Sequence, residues 1–172
     1  MYKRQILTFH TPLIREGSYA TYHLADESFF KSLTRRPFII NTSRGEVIDT
    51  GAILHALDSK QIAGAVLDVW EHEPNINLEL LDKVFIGTPH IAGYSADGKA
   101  NATRMVLEAF CRFFQLPADF QITLPVPDQS LFDADEDIRT LQQYNPHRDC
   151  DSLRAQPALF EHLRGDYPLR RE

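Results

Sequence analysis

Short apolar segments alternate with amphipathic stretches along the first half of the chain. The apolar segments are rich in Ile, Val and Phe, which favour strands. They predict four strands: Ile6–His10, Phe38–Asn41, Gly64–Val69 and Val84–Gly87. The stretches between them predict helices over Asp26–Leu33, Asp49–Asp58 and Asn77–Asp82, with Asp26 and Asp49 as N-caps. Strands alternating with helices are typical of βαβ units, so the pattern indicates an α/β fold with a parallel sheet.

The pattern changes after His90. Residues 95–116 predict one long amphipathic helix, because apolar residues recur every three or four positions and Pro117 follows. We expect its stripe of Phe110, Phe113 and Phe114 to be packed in a core. Beyond it, several prolines, the acidic stretch Asp133–Asp137 and a polar tail from residue 144 to 172 indicate a second, smaller module.

Composition narrows the class of protein. The 172 residues are 43% hydrophobic and 24% charged, with a formal net charge of −6, which argues against a general nucleic-acid binder. Cys111 and Cys150 form no Cys-x-x-Cys motif, so we expect neither a zinc ribbon nor a disulfide framework. There is no signal peptide and no apolar run of about eighteen residues, so we expect a cytoplasmic protein that contacts no membrane.

Polar residues follow each of the four predicted strands. The segments are His10–Pro12, Asn41–Gly45, Asp68–Pro74 and Thr88–His90. In open parallel sheets, ligands bind beyond the carboxyl ends of the strands. The sequence therefore predicts a binding site at this edge of the sheet.

Three of these residues have complementary chemistry. Arg44 offers a planar fork suited to a carboxylate, and the adjacent Gly45 permits a sharp turn. His90 is a suitable proton acceptor for an alcohol, and Glu73 would fix its tautomer and stabilise the imidazolium. Each residue alone is more often a surface charge or a capping or core histidine, but the three together favour an acid–base site beside an anion anchor.

Two other sequence patterns give weaker evidence of a binding site. Gly93–Ala100 approaches a P-loop, but Ala100 stands where Ser or Thr would reach magnesium. Glu71–Glu73 contains two carboxylates and a histidine, but neighbours on an extended segment point in opposite directions and no second histidine lies at helical spacing. We therefore expect no metal site.

Three motifs resemble the successive signatures of the D-isomer-specific 2-hydroxyacid dehydrogenases. They are Asn41–Asp49, Leu67–Pro74 and Thr88–Gly93, and the resemblance covers residues 6 to about 116. It implies that Arg44 binds the substrate carboxylate, that Glu73 orients the histidine and that His90 is the general acid–base. It also implies NAD as cofactor, with contacts from Thr11, Thr42, Ser43, Arg44, Asp68 and Gly93.

Within that family, residues 90–101 and the tail from Tyr144 resemble a branch that oxidises the 2-hydroxyl of a phosphorylated hydroxy acid and dimerises through a C-terminal domain. Tyr94 would then contact substrate, and the full-length protein would be a homodimer. The implied fold is a partial Rossmann-type sheet of about four strands, a long connecting helix and a partial α+β dimerisation domain. The implied domains are residues 6–94, 95–117 and 118–172, after an expected non-native leader at 1–5.

The sequence also departs from the family. It contains no Gly-x-Gly-x-x-Gly and no acidic residue to bind the adenosine ribose. We therefore expect a fragment that lacks the N-terminal half and is inactive, or nearly so, alone. Alternatives are a sister enzyme acting on phosphoglycerate, glycerate or glyoxylate, and a non-catalytic dinucleotide sensor of the same fold. A pure dimerisation module would leave Arg44, Glu73 and His90 unexplained.

Overall fold

The computed structural model of the protein describes residues 5–125 and 144–168. One compact unit comprises the described residues up to Ala92 together with Pro146–Asp166. A second unit comprises those from Gly93 to Asn145 and from Tyr167 onward. Residues 1–4 of the predicted leader, the acidic stretch 133–137 and the end of the tail, residues 169–172, lie outside the described residues.

The first unit is built on a parallel sheet. Its strands are β1 (Ile6–Phe9), β2 (Phe38–Asn41), β3 (Gly64–Leu67) and β4 (Ile86–Gly87), in the order β1-β2-β3-β4. All three pairings are parallel. The predicted α/β class and parallel sheet are therefore confirmed.

Three strands are shorter than the hydrophobic pattern predicts. β1 ends before His10 and β3 ends at Leu67, although the Asp68 amide still donates to the carbonyl of Asn41 on β2 at 3.0 Å. β4 begins at Ile86, because the Val84 amide donates to Leu80 O at 3.0 Å and so belongs to the end of the preceding helix. In all three strands, hydrogen bonding between neighbouring strands sets the actual limits, and the residue pattern extends one or two positions beyond them.

Three helices connect the strands: α1 (Glu27–Lys31), α2 (Thr50–Asp58) and α3 (Leu78–Lys83). The side chain before each helix caps it: Asp26, Asp49 and Asn77 accept hydrogen bonds from the amides of Phe29, Ala52 and Leu80 at 2.8, 2.6 and 2.8 Å. Such N-caps are each worth about 1 kcal/mol and fix where a helix begins. The two aspartate caps agree with the sequence prediction.

The core of the first unit lies between the sheet and the helices. Ile39 of β2 and Ala65 of β3 are fully buried in it, and so are Val47 and Ile53 beside them. Burying a side chain such as Ile53 stabilises the fold by about 1.5–3 kcal/mol. This packing holds the carboxyl ends of the strands in a fixed register.

The second unit contains the long helix α4 (Ala96–Phe114), close to the predicted bounds. Ser95 caps it by accepting from the Gly98 amide at 2.9 Å. The rings of Phe110, Phe113 and Phe114 contact one another but are 51%, 80% and 56% exposed. The core packing predicted for this stripe is therefore not found among the described residues. In that part of the chain, none of the helices has both the length and the apolarity to cross a bilayer.

The C-terminal helices α5 (Pro146–Ala155) and α6 (Phe160–Gly165), with a 3₁₀ turn between them at Pro157–Leu159, pack in the first unit. Leu153 and Phe160 are fully buried in its core. Arg154 donates to the carbonyls of Leu81 and Val84, at 3.3 and 2.6 Å. The predicted boundary at residue 118 assigns this tail to a separate domain, whereas these buried side chains place it against the sheet unit.

Candidate active site

The predicted site residues follow neighbouring strands. Arg44 follows β2, Glu73 lies on the loop after β3 and His90 lies just after β4. Because the three strands are adjacent and parallel, their following loops leave the same edge of the sheet. The hydrogen bonds of each loop show how its side chain is held.

The imidazole of His90 is hydrogen bonded to the carboxylate of Glu73. His90 Nδ1 lies 2.7 Å from Glu73 Oε2, and the other carboxylate oxygen accepts from the Trp70 amide at 2.8 Å. Both side chains are mostly buried, at 22% and 18% exposed. His90 Nε2 has no hydrogen-bond partner among the described residues. With its proton on Nδ1, the neutral ring therefore presents Nε2 as a proton acceptor.

The turn that carries His90 is held by Asp68. His90 has a φ of 54°, in the left-handed region, and its amide donates to Asp68 O at 2.7 Å. The buried Asp68 carboxylate accepts from the Thr88 hydroxyl at 2.6 Å and from the amides of Ile91 and Ala92 at 2.8 and 2.9 Å. Asp68 was predicted to contact the cofactor; its hydrogen bonds in the structure give it a structural role at this turn.

The turn that carries Arg44 is organised by Asn41, which is buried at the end of β2. The Asn41 amide donates to Arg44 O at 2.9 Å, and its oxygen accepts from the amide and hydroxyl of Ser43 at 3.1 and 2.9 Å. The Arg44 side chain is exposed, and it donates to Ser43 O at 2.6 Å. Among the described residues, Arg44 forms no hydrogen bond or ion pair with Glu73 or His90, so its guanidinium is available to an external anion.

Gly45 brings the turns after β2 and β3 into direct backbone contact. A Cβ atom at this position would lie 1.9 Å from Trp70 O and 2.0 Å from Trp70 C. Only glycine permits this approach. The distance between the Arg44 turn and the loop of Glu73 is therefore fixed by backbone packing.

One predicted cofactor residue has an unpaired buried atom. Thr11 Oγ1 is buried and has no hydrogen-bond partner among the described residues, which suits a polar group supplied by a ligand. Thr42 is exposed, and the Ser43 hydroxyl is used by Asn41. The unpaired Thr11 hydroxyl therefore fits a polar group of NAD, whereas the roles of Thr42 and Ser43 at the cofactor stay predictions.

Two predicted residues belong to the second unit. Gly93 adopts a φ of 78°, and a Cβ atom there would meet no atom within 4 Å. The Tyr94 ring lies 4.1 Å from the ammonium of Lys99 and 6.3 Å from the ring of Tyr167. The predicted roles of Gly93 at the cofactor and Tyr94 at the substrate stay predictions.

Several residues near this edge escaped the sequence prediction. The Asn-x-Ser pattern of Asn41 and Ser43 is typical of a side chain that closes a turn, and it would have identified Asn41. His23 and Glu71 hydrogen bond at 2.7 Å across 48 residues, and no local pattern signals such a pair.

A cavity of about 530 Å³ opens at the opposite edge of the sheet, beside Phe38 and Phe85. Two of the cations at its rim are already engaged: Lys83 pairs with Asp58 at 2.6 Å, and Arg154 bonds to backbone carbonyls. The cavity contains none of the predicted site residues. We therefore keep the candidate site at the carboxyl edge, where Arg44, Glu73 and His90 follow neighbouring strands.

Comparison with known proteins shows which family this chain resembles in sequence and fold. Residues 1–92 match the family model described as D-isomer specific 2-hydroxyacid dehydrogenase, NAD binding domain. An erythronate-4-phosphate dehydrogenase of Bacteroides thetaiotaomicron is 62% identical over 97% of this chain and 48% of the relative. The enzyme of that name from Porphyromonas gingivalis is 46% identical over the same shares.

Solved structures agree with the fold. D-mandelate dehydrogenase of Rhodotorula graminis matches 71% of this chain and 36% of its own, with a TM-score of 0.58 at 30% identity. D-lactate dehydrogenase of Lactobacillus jensenii, solved with NAD⁺, matches 69% of this chain and 39% of its own, with a TM-score of 0.54 at 25% identity. The chain spans about half the length of the curated relatives it matches.

Proposed function

The chain belongs to the D-isomer-specific 2-hydroxyacid dehydrogenase family, matching its NAD-binding domain, and we propose that it carries the catalytic groups of an erythronate-4-phosphate dehydrogenase. The reaction is the oxidation of the 2-hydroxyl of 4-phospho-D-erythronate to the 2-oxo acid, a step of pyridoxal phosphate (vitamin B6) biosynthesis. The observation that carries this proposal is the 2.7 Å contact of His90 Nδ1 with Glu73, which leaves Nε2 as the base.

His90 Nε2 accepts the proton of the substrate 2-hydroxyl as that oxygen becomes a carbonyl. The imidazolium that forms is stabilised by Glu73, which is held in place by the Trp70 amide. NAD, when bound, would supply the acceptor for the hydride that leaves C2 of the substrate. General acid–base catalysis by a positioned histidine contributes about 10²- to 10⁴-fold to such a reaction.

Arg44 binds the substrate carboxylate through its planar guanidinium. Two parallel N–H donors suit the two carboxylate oxygens and orient C2 relative to the base. The exposure of Arg44 and the fixed backbone contact at Gly45 support this role, because the anchor is available while its turn is rigid. Tyr94 is proposed as a further substrate contact.

The nicotinamide half of NAD would be held by Thr11, Thr42, Ser43, Arg44, Asp68 and Gly93. The buried, unpaired hydroxyl of Thr11 supports this assignment. The chain contains no glycine-rich pyrophosphate loop. We therefore propose that this chain alone is inactive, or nearly so, and that turnover requires a polypeptide that also supplies that loop.

We also propose that the longer protein is a homodimer. The resemblance of the tail to a dimerisation domain supports this, and so does the exposed aromatic face formed by Phe110, Phe113 and Phe114 on α4. Sedimentation of the longer protein as a monomer at micromolar concentration would contradict it.

The activity test uses a chimera in which the N-terminal half of the Bacteroides thetaiotaomicron relative precedes Ile6 of this chain. NADH formation is followed with 4-phosphoerythronate, 3-phosphoglycerate and glycerate. We expect turnover with 4-phosphoerythronate, and a loss of about 10²-fold or more in the His90→Ala variant. The exposed His55 provides the matched control, His55→Ala, which should keep its turnover.

Normal turnover by His90→Ala refutes the acid–base assignment. Preference for 3-phosphoglycerate or glycerate retains the mechanism but assigns the chain to a sister enzyme. NAD binding without turnover on any of these acids favours a dinucleotide sensor.

A further inference from the structure

A second histidine–carboxylate network lies beside the proposed catalytic pair. His23 Nε2 is 2.7 Å from Glu71 Oε1, and His23 Nδ1 is 3.3 Å from Asp49 Oδ2. The other oxygen of Glu71 accepts from the Thr50 amide at 2.8 Å. The Glu71 side chain is only 9% exposed. The network therefore joins the loop after β1, the start of α2 and the loop after β3.

The backbone and a neighbouring ring fix His23 in place. Its amide donates to Glu46 O at 2.8 Å, and its φ of 49° lies in the left-handed region. Tyr22 stacks on the imidazole, with the ring centroids 3.9 Å apart and the planes at 17°. An imidazole held on its face and at both nitrogens has little freedom to reorient, so it is a rigid anchor for Glu71.

The Glu71 carboxylate stays ionised inside this network. Burial by itself would raise the pKa of the Glu71 carboxyl, but hydrogen bonds from His23 and Thr50 outweigh it and hold the pKa below its ordinary value of 4.5. The charged groups facing His23 are Asp49 and Glu71, and the Arg15 guanidinium lies over the Tyr22 ring, 4.9 Å from its centroid. Charge-assisted bonds of this kind are roughly twice as strong as neutral ones.

Glu71 is linked to the catalytic pair through the backbone of the preceding residue. The preceding residue, Trp70, donates its amide to Glu73 Oε1, and the other oxygen of Glu73 holds His90. The carbonyl of Trp70 is also the atom that abuts Gly45. Moving Glu71 would therefore move the amide that orients Glu73 and the contact that spaces the Arg44 turn.

We propose that His23 and Glu71 are positioning residues for the reaction, which hold the loop Trp70–Glu73 so that Glu73 keeps the His90 imidazole aligned. This inference rests on the proposed function for its catalytic meaning. Its structural part is that the His23–Glu71 hydrogen bond stabilises the His90–Glu73 hydrogen bond. That part can be tested by a measurement that does not depend on enzyme activity.

The first test is made on this chain by NMR of the imidazole nitrogens and their protons. The variants are Glu71→Ala and His23→Phe, which remove the bond, and Glu71→Gln, whose amide can accept from Thr50 and donate to a neutral His23. The matched control is His162→Phe, because His162 pairs with Asp166 at 2.9 Å on the exposed surface of α6.

We expect the proton on His90 Nδ1 to exchange with water about tenfold faster in Glu71→Ala and His23→Phe, because its bond to Glu73 opens more often. Glu71→Gln and His162→Phe should resemble the wild type. If Glu71→Ala does not fold, His23→Phe and Glu71→Gln still decide the question. An unchanged His90 signal in His23→Phe overturns the proposal.

The second test measures kinetics in the chimera with the same variants. Misplacing a catalytic group by about 1 Å can cost about a hundredfold, so we expect kcat to fall about 10- to 100-fold in His23→Phe and Glu71→Ala, with little change in KM. Glu71→Gln should recover most of kcat at pH 7. Wild-type kcat in both disruptive variants, or an equal loss in His162→Phe, overturns the positioning role.

The two proposals fail in different ways. Full turnover by His90→Ala refutes the proposed function, while the NMR result still decides whether His23 and Glu71 align His90. Loss of turnover in His90→Ala together with unchanged kcat and unchanged His90 exchange in His23→Phe refutes only the positioning role.

Discussion

Replacing Asp68 with asparagine tests whether this carboxylate holds the turn that carries His90. Asp68 Oδ1 accepts from Thr88 Oγ1 and the Ile91 amide, and Oδ2 accepts from the Ala92 amide. An asparagine can retain the first two bonds through its one oxygen. Its NH₂ group then faces the Ala92 N–H, so two donors meet where a donor and an acceptor met before.

The expected loss follows from these three bonds. A hydrogen bond to a charged group contributes about 1.5–3 kcal/mol, and a buried donor left without a partner costs about 1–3 kcal/mol. Because the two effects overlap at the Ala92 amide, we expect Asp68→Asn to lower the free energy of unfolding by about 2–4 kcal/mol. Thr88→Val removes only one of the three bonds, so we expect it to cost about 1–2 kcal/mol.

The assay is urea denaturation of this chain at pH 7, followed by circular dichroism, together with hydrogen exchange of the Ile91 and Ala92 amides. We expect faster exchange of Ala92 in Asp68→Asn than in Thr88→Val. An Asp68→Asn variant within about 0.5 kcal/mol of the wild type, with unchanged exchange, would refute the structural role of the carboxylate.

Three further predictions concern the loops at the same edge. Gly45→Ala should lower the free energy of unfolding by about 1–3 kcal/mol or more, because its Cβ would lie 1.9 Å from Trp70 O. Gly165→Ala is the control, because a Cβ atom there would meet no atom within 4 Å. Equal stability of the two variants in urea would contradict the predicted clash. Trp70→Phe loses the 2.9 Å indole bond to Thr88 O and should cost about 1 kcal/mol in the same assay, whereas no loss would show that the bond contributes nothing. Folding lowers the pKa of the Glu71 carboxyl, so its contribution to the free energy of unfolding is present above pH 4.5 and lost as the pH falls below it. The difference in free energy of unfolding between Glu71→Gln and the wild type should therefore become smaller on acidification. A difference independent of pH would contradict this prediction.

Local chemistry determined much of the fold. β2 has the limits that its apolar run predicts, and the helices begin where Asp26 and Asp49 provide caps. The three- and four-residue spacing of apolar residues predicted α4 nearly to its ends. These features depend on side-chain alternation and on hydrogen bonds within a few residues, so a sequence pattern contains them.

The chemistry of the edge was predicted in part. The residue types and their places after the strands indicated Arg44, Glu73 and His90, and the family resemblance supplied their roles. Local reasoning did not give Asp68 its structural role, because its carboxylate bonds to residues 20 or more positions away. Those bonds exist only once β3 and β4 lie side by side.

By itself, then, the sequence determined the order and type of the elements, the parallel sheet and the residues offered to chemistry at its edge. Tertiary structure alone decided that His23 meets Glu71, that Gly45 touches Trp70, and that α5 and α6 pack against the sheet unit. The physical reason is range: periodicity and caps act between near neighbours, whereas these contacts join segments that only the folded backbone brings together.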